Sequence, residues 1–143
     1  MKNSFFCKNS SVYLYERPYH KSKISSQILY GEKFKILLKN KNWLKIKTSF
    51  DGYIGYVKKI NYVNEFKPTH KVKKIFAIVY KKPNKNFKIK KKLSFCSFIS
   101  VKKTEKNFYK FDNYWIKKND VAPINKTENI LSKIKIFNGV KYK

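Results

Sequence analysis

Leu14-Tyr15-Glu16-Arg17-Pro18 returns 65 residues later as Val79-Tyr80-Lys81-Lys82-Pro83, and this return decides the fold. The same offset sets Phe95 on Tyr30, Ile99 on Phe34 and Val101 on Ile36. It also sets Asn107-Phe108-Tyr109-Lys110-Phe111 on Asn42-Trp43-Leu44-Lys45-Ile46. After a deletion of six residues, Trp115-Ile116-Lys117-Lys118 falls on Tyr56-Val57-Lys58-Lys59. Four blocks in one order describe a small unit written twice.

Within each copy the apolar residues alternate with period two, the signature of strands rather than helices. The first copy predicts strands at 11–15, 33–39, 43–48 and 52–58, with Phe34, Ile36 and Leu38 on one face. Asn40-Lys41-Asn42 and Asp51-Gly52 mark hairpin turns, because Asn and Gly tolerate left-handed backbone. The second copy predicts strands at 74–80, 98–103, 108–111 and 114–117. Short strands separated by turns, with no long helical pattern, indicate small barrels. Pro68 holds an extended linker over 64–70. Beyond 125 the pattern changes: Ile130, Leu131, Ile134 and Phe137 share one helical face, with Asn125 or Thr127 as cap and Gly139 as stop.

The 143 residues carry 35 Lys and Arg against 8 Asp and Glu, a net charge of +27. Such a surface attracts polyanions. Yet Arg17 is the only arginine, and Arg is the side chain that reads guanine bidentately. Lys, Asn, Ile, Phe and Tyr, all plentiful, are encoded by AT-rich codons, so composition alone explains the charge. A nucleic-acid partner is therefore disfavoured. No apolar run reaches the roughly 20 residues that span a bilayer. Met1 to Lys8 lacks the apolar core of a secretory signal, which predicts a cytoplasmic location without excluding action in the periplasm or cell wall.

Val12-Tyr-Leu-Tyr-Glu-Arg-Pro18, Ser26-Gln-Ile-Leu-Tyr-Gly-Glu32, Asn42-Trp43-Leu-Lys-Ile46 and Asp51-Gly-Tyr-Ile-Gly-Tyr-Val57 together resemble the bacterial SH3 module of cell-wall hydrolases. Tyr56 stands where that family usually has Trp, and Cys96 replaces the glycine expected in the second module. Two modules and a helix resemble the N-terminal half of NlpC-type cysteine peptidases, which cut γ-D-glutamyl bonds in peptidoglycan stem peptides. Pro68-Thr-His-Lys-Val72, Asn113-Tyr-Trp-Ile116 and Asp120-Val-Ala-Pro-Ile124 carry that wider likeness. It implies an all-β fold of two tandem SH3-like small β-barrels followed by a short C-terminal α-helix. The divisions are an extension at 1–9, barrels at 10–66 and 67–125, and a helix at 126–143 leading into a catalytic domain not contained in the chain. The family's Trp-Gly-Gly and Asp-Cys-Ser-Gly motifs would follow Lys143.

A thiol peptidase needs a Cys and a His within hydrogen-bond reach. Cys7, placed in a frayed N-terminus, Cys96, His20 in a long loop and His70 in the linker match no catalytic position, so the expectation is no catalytic residue, metal or cofactor. Tyr13, Tyr19, Tyr30 and Tyr53 flank the long loop and hairpin of the first barrel and are the candidate ligand-binding residues. Trp43, Tyr56, Phe108 and Trp115 read as core, and the lysines of 88–92 as a solvated loop. The function expected is binding and positioning of peptidoglycan peptide or muropeptide for a cysteine-peptidase catalytic domain, in cis or in trans. A basic nucleic-acid-binding barrel pair and a structural adaptor are the alternatives.

Overall fold

The computed structural model describes residues 4–19 and 21–124, and over these the chain is all-β. The helix expected at 126–143 lies outside the described residues. The first unit contains β1 (Ser4–Cys7), β2 (Ser11–Tyr15), β3 (Ile24–Leu29), β4 (Lys33–Lys39), β5 (Leu44–Thr48), β6 (Ile54–Val57) and β7 (Tyr62–Val63). They form one antiparallel sheet in the order β3-β2-β6-β5-β4-β1-β7.

The second unit contains β8 (His70–Val72), β9 (Phe76–Tyr80), β10 (Lys88–Ser94), β11 (Phe98–Ile99), β12 (Lys103–Glu105), β13 (Phe108–Phe111), β14 (Tyr114–Lys117) and β15 (Val121–Pro123). Its sheets run β10-β9-β14-β13-β12 and β11-β8-β15. This is the first unit's order with its fourth strand broken in two, as β11 and β12. The repeat read from four blocks thus covers every strand.

The duplication reaches individual hydrogen bonds. In the first unit the Gly31 N–H donates to the Cys7 carbonyl at 2.7 Å, and the Cys7 N–H to the Glu32 carbonyl at 2.9 Å. In the second, Cys96 N–H donates to the Val72 carbonyl at 3.1 Å, and Val72 N–H to the Ser97 carbonyl at 2.9 Å. Gly31 has φ +79° and Cys96 φ +77°, so one left-handed corner is used twice. Only one copy kept the residue that adopts it without strain.

Alternation places one face of each strand inward. Cys7, Leu14, Ile28, Phe34, Ile46 and Val57 make the first core. Val72, Ala77, Val79, Leu93, Ile99, Phe111, Ile116 and Val121 make the second, joined by Tyr30 from the first unit. Burying such side chains contributes about 1.5–3 kcal/mol each.

Several expectations need correction. Within the stretch expected as an extension, Ser4–Cys7 form β1, which pairs with β4 and β7, and Cys7 is fully buried rather than frayed. The long loop after Pro18 contains β3, whose Ile28 fills the core. The presumed linker runs into β8 at His70, and the lysines of 88–92 lie on β10, paired with β9. Leu38 does not follow Phe34 inward, because a register shift between Ile36 and Leu38 turns it outward. Trp43 is half-buried, its ring edge-on to Tyr15 at 5.6 Å. Tyr56 is half-buried, whereas Phe108 and Trp115 are buried together with Tyr80.

Candidate functional site

The four tyrosines separate. Tyr13 lies on β2 and is exposed; Tyr19 is exposed in the β2–β3 loop. Tyr53 precedes β6 and is partly exposed, its hydroxyl donating to the Ser25 carbonyl at 3.1 Å. Tyr30 is buried, at 1% exposure, and leaves the candidate set. It ends β3 just before the Gly31 corner, and that corner presses on the second unit. Phe98 N–H donates to the Tyr30 carbonyl at 2.8 Å, and a Cβ on Gly31 would stand 2.7 Å from the Phe98 Cβ. Tyr30 is therefore driven into the second core, edge-on to Phe111 at 5.7 Å.

Around its hydroxyl the two units share a polar cluster. Lys8 Nζ donates to Tyr30 Oη at 2.7 Å and to Asp112 Oδ1 at 2.8 Å, and the Tyr30 hydroxyl donates to Asp112 Oδ2. Lys8 Nζ also lies over the Tyr30 ring at 4.7 Å and the Phe66 ring at 4.9 Å. Burial first, then donation to Asp112, pushes the Tyr30 hydroxyl well above the usual phenol range. Burial alone would raise Asp112, but the bonds from Lys8 and Tyr30 outweigh it and hold the carboxyl below its ordinary value.

Beside this cluster lies a groove of about 1010 Å³ between the units. Lys33, Lys67 and Lys102 stand on its walls, with Phe6 and Phe66 as apolar lining and Lys8 and Asp112 at one side. Sequence reasoning missed this groove. An aromatic, Phe66, inside a supposed linker was the available signal; no local pattern announces Lys8 meeting Asp112 across 104 residues.

The thiols and histidines sit elsewhere. Cys7 is pushed up to about 12, chiefly by burial, and its Sγ faces the Asn9 carbonyl at 3.5 Å. Burial also raises Cys96, whose Sγ lies 3.8 Å from Lys71 Nζ. A thiol held protonated is a poor nucleophile. His70, lowered by burial, has Nδ1 2.8 Å from Thr69 Oγ1 and its ring on Tyr109. His20 lies outside the described residues. Among the described residues, no group of three His, Cys, Asp or Glu is placed to hold a metal ion.

A short-stranded antiparallel unit used twice defines the class before any relative is considered: a tandem all-β protein. Residues 14–59 match the family model described as the bacterial dipeptidyl-peptidase SH3 domain. Among solved structures, an NlpC/P60 family protein from Bacillus cereus superposes with a TM-score of 0.66 at 18% identity, over 83% of this chain and 55% of that one. NlpC2 from Trichomonas vaginalis aligns with a TM-score of 0.36 at 14% identity, over 85% of this chain and 48% of that one. The chain thus spans about half the length of these structures. No curated protein matches it. Over the described residues the chain thus shares the fold of the NlpC/P60 family protein from Bacillus cereus.

Proposed function

We propose that this chain provides two tandem SH3-like barrels that hold peptidoglycan stem peptide, or a muropeptide, for an NlpC-type catalytic domain. The observation that carries the reading is the lysine-walled groove between the units. A stem peptide is an extended chain with several free carboxylates. Lys33, Lys67 and Lys102 offer ammonium partners to such groups, while Phe6 and Phe66 offer apolar contact to the backbone and methyl groups between them. Tyr13, Tyr19 and Tyr53 remain exposed elsewhere on the first unit and would serve as secondary contacts or as the docking face for the catalytic domain.

The test is calorimetric titration of the full chain with a tetrapeptide stem and with the same peptide amidated at its carboxylates. Lys33→Gln with Lys102→Gln is expected to weaken binding about tenfold or more, since charge-assisted bonds contribute about 1.5–3 kcal/mol each. Amidation should do the same. Equal affinity for both peptides, or none for either, would refute the proposal.

A further inference from the structure

We infer that the outer face of β9 and β10 is a docking surface for an anionic lipid bilayer. This face is separate from the groove and does not rest on the stem-peptide reading.

The argument begins with alternation. On β9, Ala77 and Val79 point into the core, so Phe76 and Ile78 point out, 51% and 39% exposed. On β10, Leu93 points inward, while Lys88, Lys90 and Lys92 are exposed. Pairing sets Lys92 opposite Ile78, and Lys92 Nζ lies over the Phe76 ring at 4.2 Å. Ile78 and the β10 lysines together line a shallow hollow of about 320 Å³. Nearby, the exposed Phe87 has Lys82 Nζ over its ring at 4.9 Å.

Three features select the occupant. The first is charge: in the β10-β9-β14-β13-β12 sheet the sole acidic residue is Glu105, on the opposite edge strand. The second is the form of the apolar groups. Phe76, Ile78 and Phe87 have no polar tip to satisfy, so they suit an acyl boundary, with lysines snorkelling to headgroups. The third disfavours bases as partners. Tyr80 and Trp115 are buried at 3% and 7% exposure, and the exposed Phe76 and Phe87 rings are each covered on one face by a lysine, Lys92 and Lys82, which leaves less open ring surface for stacking bases. Anionic lipid attracts each nearby Lys by about 1 kcal/mol, and three lysines with exposed aliphatic and aromatic groups make the two-part signal that peripheral binding needs.

Co-sedimentation of the full chain with phosphatidylcholine vesicles, with and without an equal part of phosphatidylglycerol, tests this. Binding is expected only to the mixed vesicles. Lys88→Gln, Lys90→Gln and Lys92→Gln combined should weaken it about a hundredfold, roughly fivefold per lysine. The same charge removed from the first unit, as Lys35→Gln, Lys39→Gln and Lys47→Gln, should weaken it only a few-fold. Phe76→Thr with Ile78→Thr, which keeps β-branched strand formers, should remove the binding that survives added salt. Equal losses from the two lysine triples would overturn the proposal, showing diffuse attraction by a charge of +27. So would capture of a single-stranded oligonucleotide through Lys88, Lys90 and Lys92 by a chain that leaves the vesicles unbound.

Discussion

The left-handed corner at Gly31 and Cys96 lets one residue be compared with its own duplicate. A side chain in that conformation costs about 1–2 kcal/mol. At Cys96 the cost is carried, with Lys71 near the sulfur. Cys96→Gly is therefore expected to raise stability by about 1 kcal/mol, read as a higher urea midpoint at unchanged slope. Gly31→Ala should do the reverse and more, because its Cβ would add a collision with Phe98 to the strain. Next to this corner Glu32 accepts the Leu29 N–H at 2.9 Å, and burial lifts its carboxyl from 4.5 to about 7. Between those two values the native state binds the proton and the unfolded chain does not, so this group's contribution falls as pH rises through the window. Glu32→Gln keeps the acceptor and cannot titrate. Melting temperatures from about pH 5 to about pH 8 should decline more for the parent than for this variant.

At the scale of elements, β1 is the sharpest departure from what the sequence suggests. Met1 to Lys8 has no turn signals and no repeat block of its own strength, yet β1 sits between β4 and β7 with Cys7 in the core. Its duplicate β8 was hidden for the same reason, with Lys71 and His70 masking a strand that carries Val72 into the second core. A buried β1 makes a kinetic prediction. In native protein the Cys7 thiol should react with a disulfide reagent no faster than the chain unfolds globally, while the partly exposed Cys96 reacts sooner. Fast labelling of Cys7 would mean that β1 detaches alone. The legible strands were those whose alternation includes aromatic or β-branched residues: β2, β4, β5, β6, β9, β13 and β14 lie within a residue or two of expectation. β10 escaped notice because its exposed positions are lysines and only Leu93 is buried. The groove escaped because its parts come from five separate stretches of chain, and pattern reading has no access to that register.

For the whole molecule the question is what joins two copies of one unit into a single body. Duplication alone would leave them as beads on Pro68. Tyr30 prevents this, since it is the end of a strand in one unit and part of the core of the other. Its hydroxyl is shared by Lys8 from the first unit and Asp112 from the second. A buried hydroxyl with both partners satisfied contributes modestly, but removing it takes the donor from Asp112 Oδ2 and one acceptor from Lys8 in a half-buried site. Tyr30→Phe is thus expected to cost about 1–2 kcal/mol and, more tellingly, to split the unfolding transition. Tryptophan emission from Trp43 reports the first unit and that from Trp115 the second, so single-tryptophan versions of the protein would resolve the two midpoints. The pH dependence has a definite sign. Asp112 is held below its ordinary value in the folded state, so its contribution is present above that value and is lost as pH falls. Asp112→Asn should therefore lower stability at neutral pH and flatten the acid limb. If both variants unfold in one transition at the parental midpoint, the cluster does not couple the units, and the groove beside it would be a gap between independent bodies rather than a formed site.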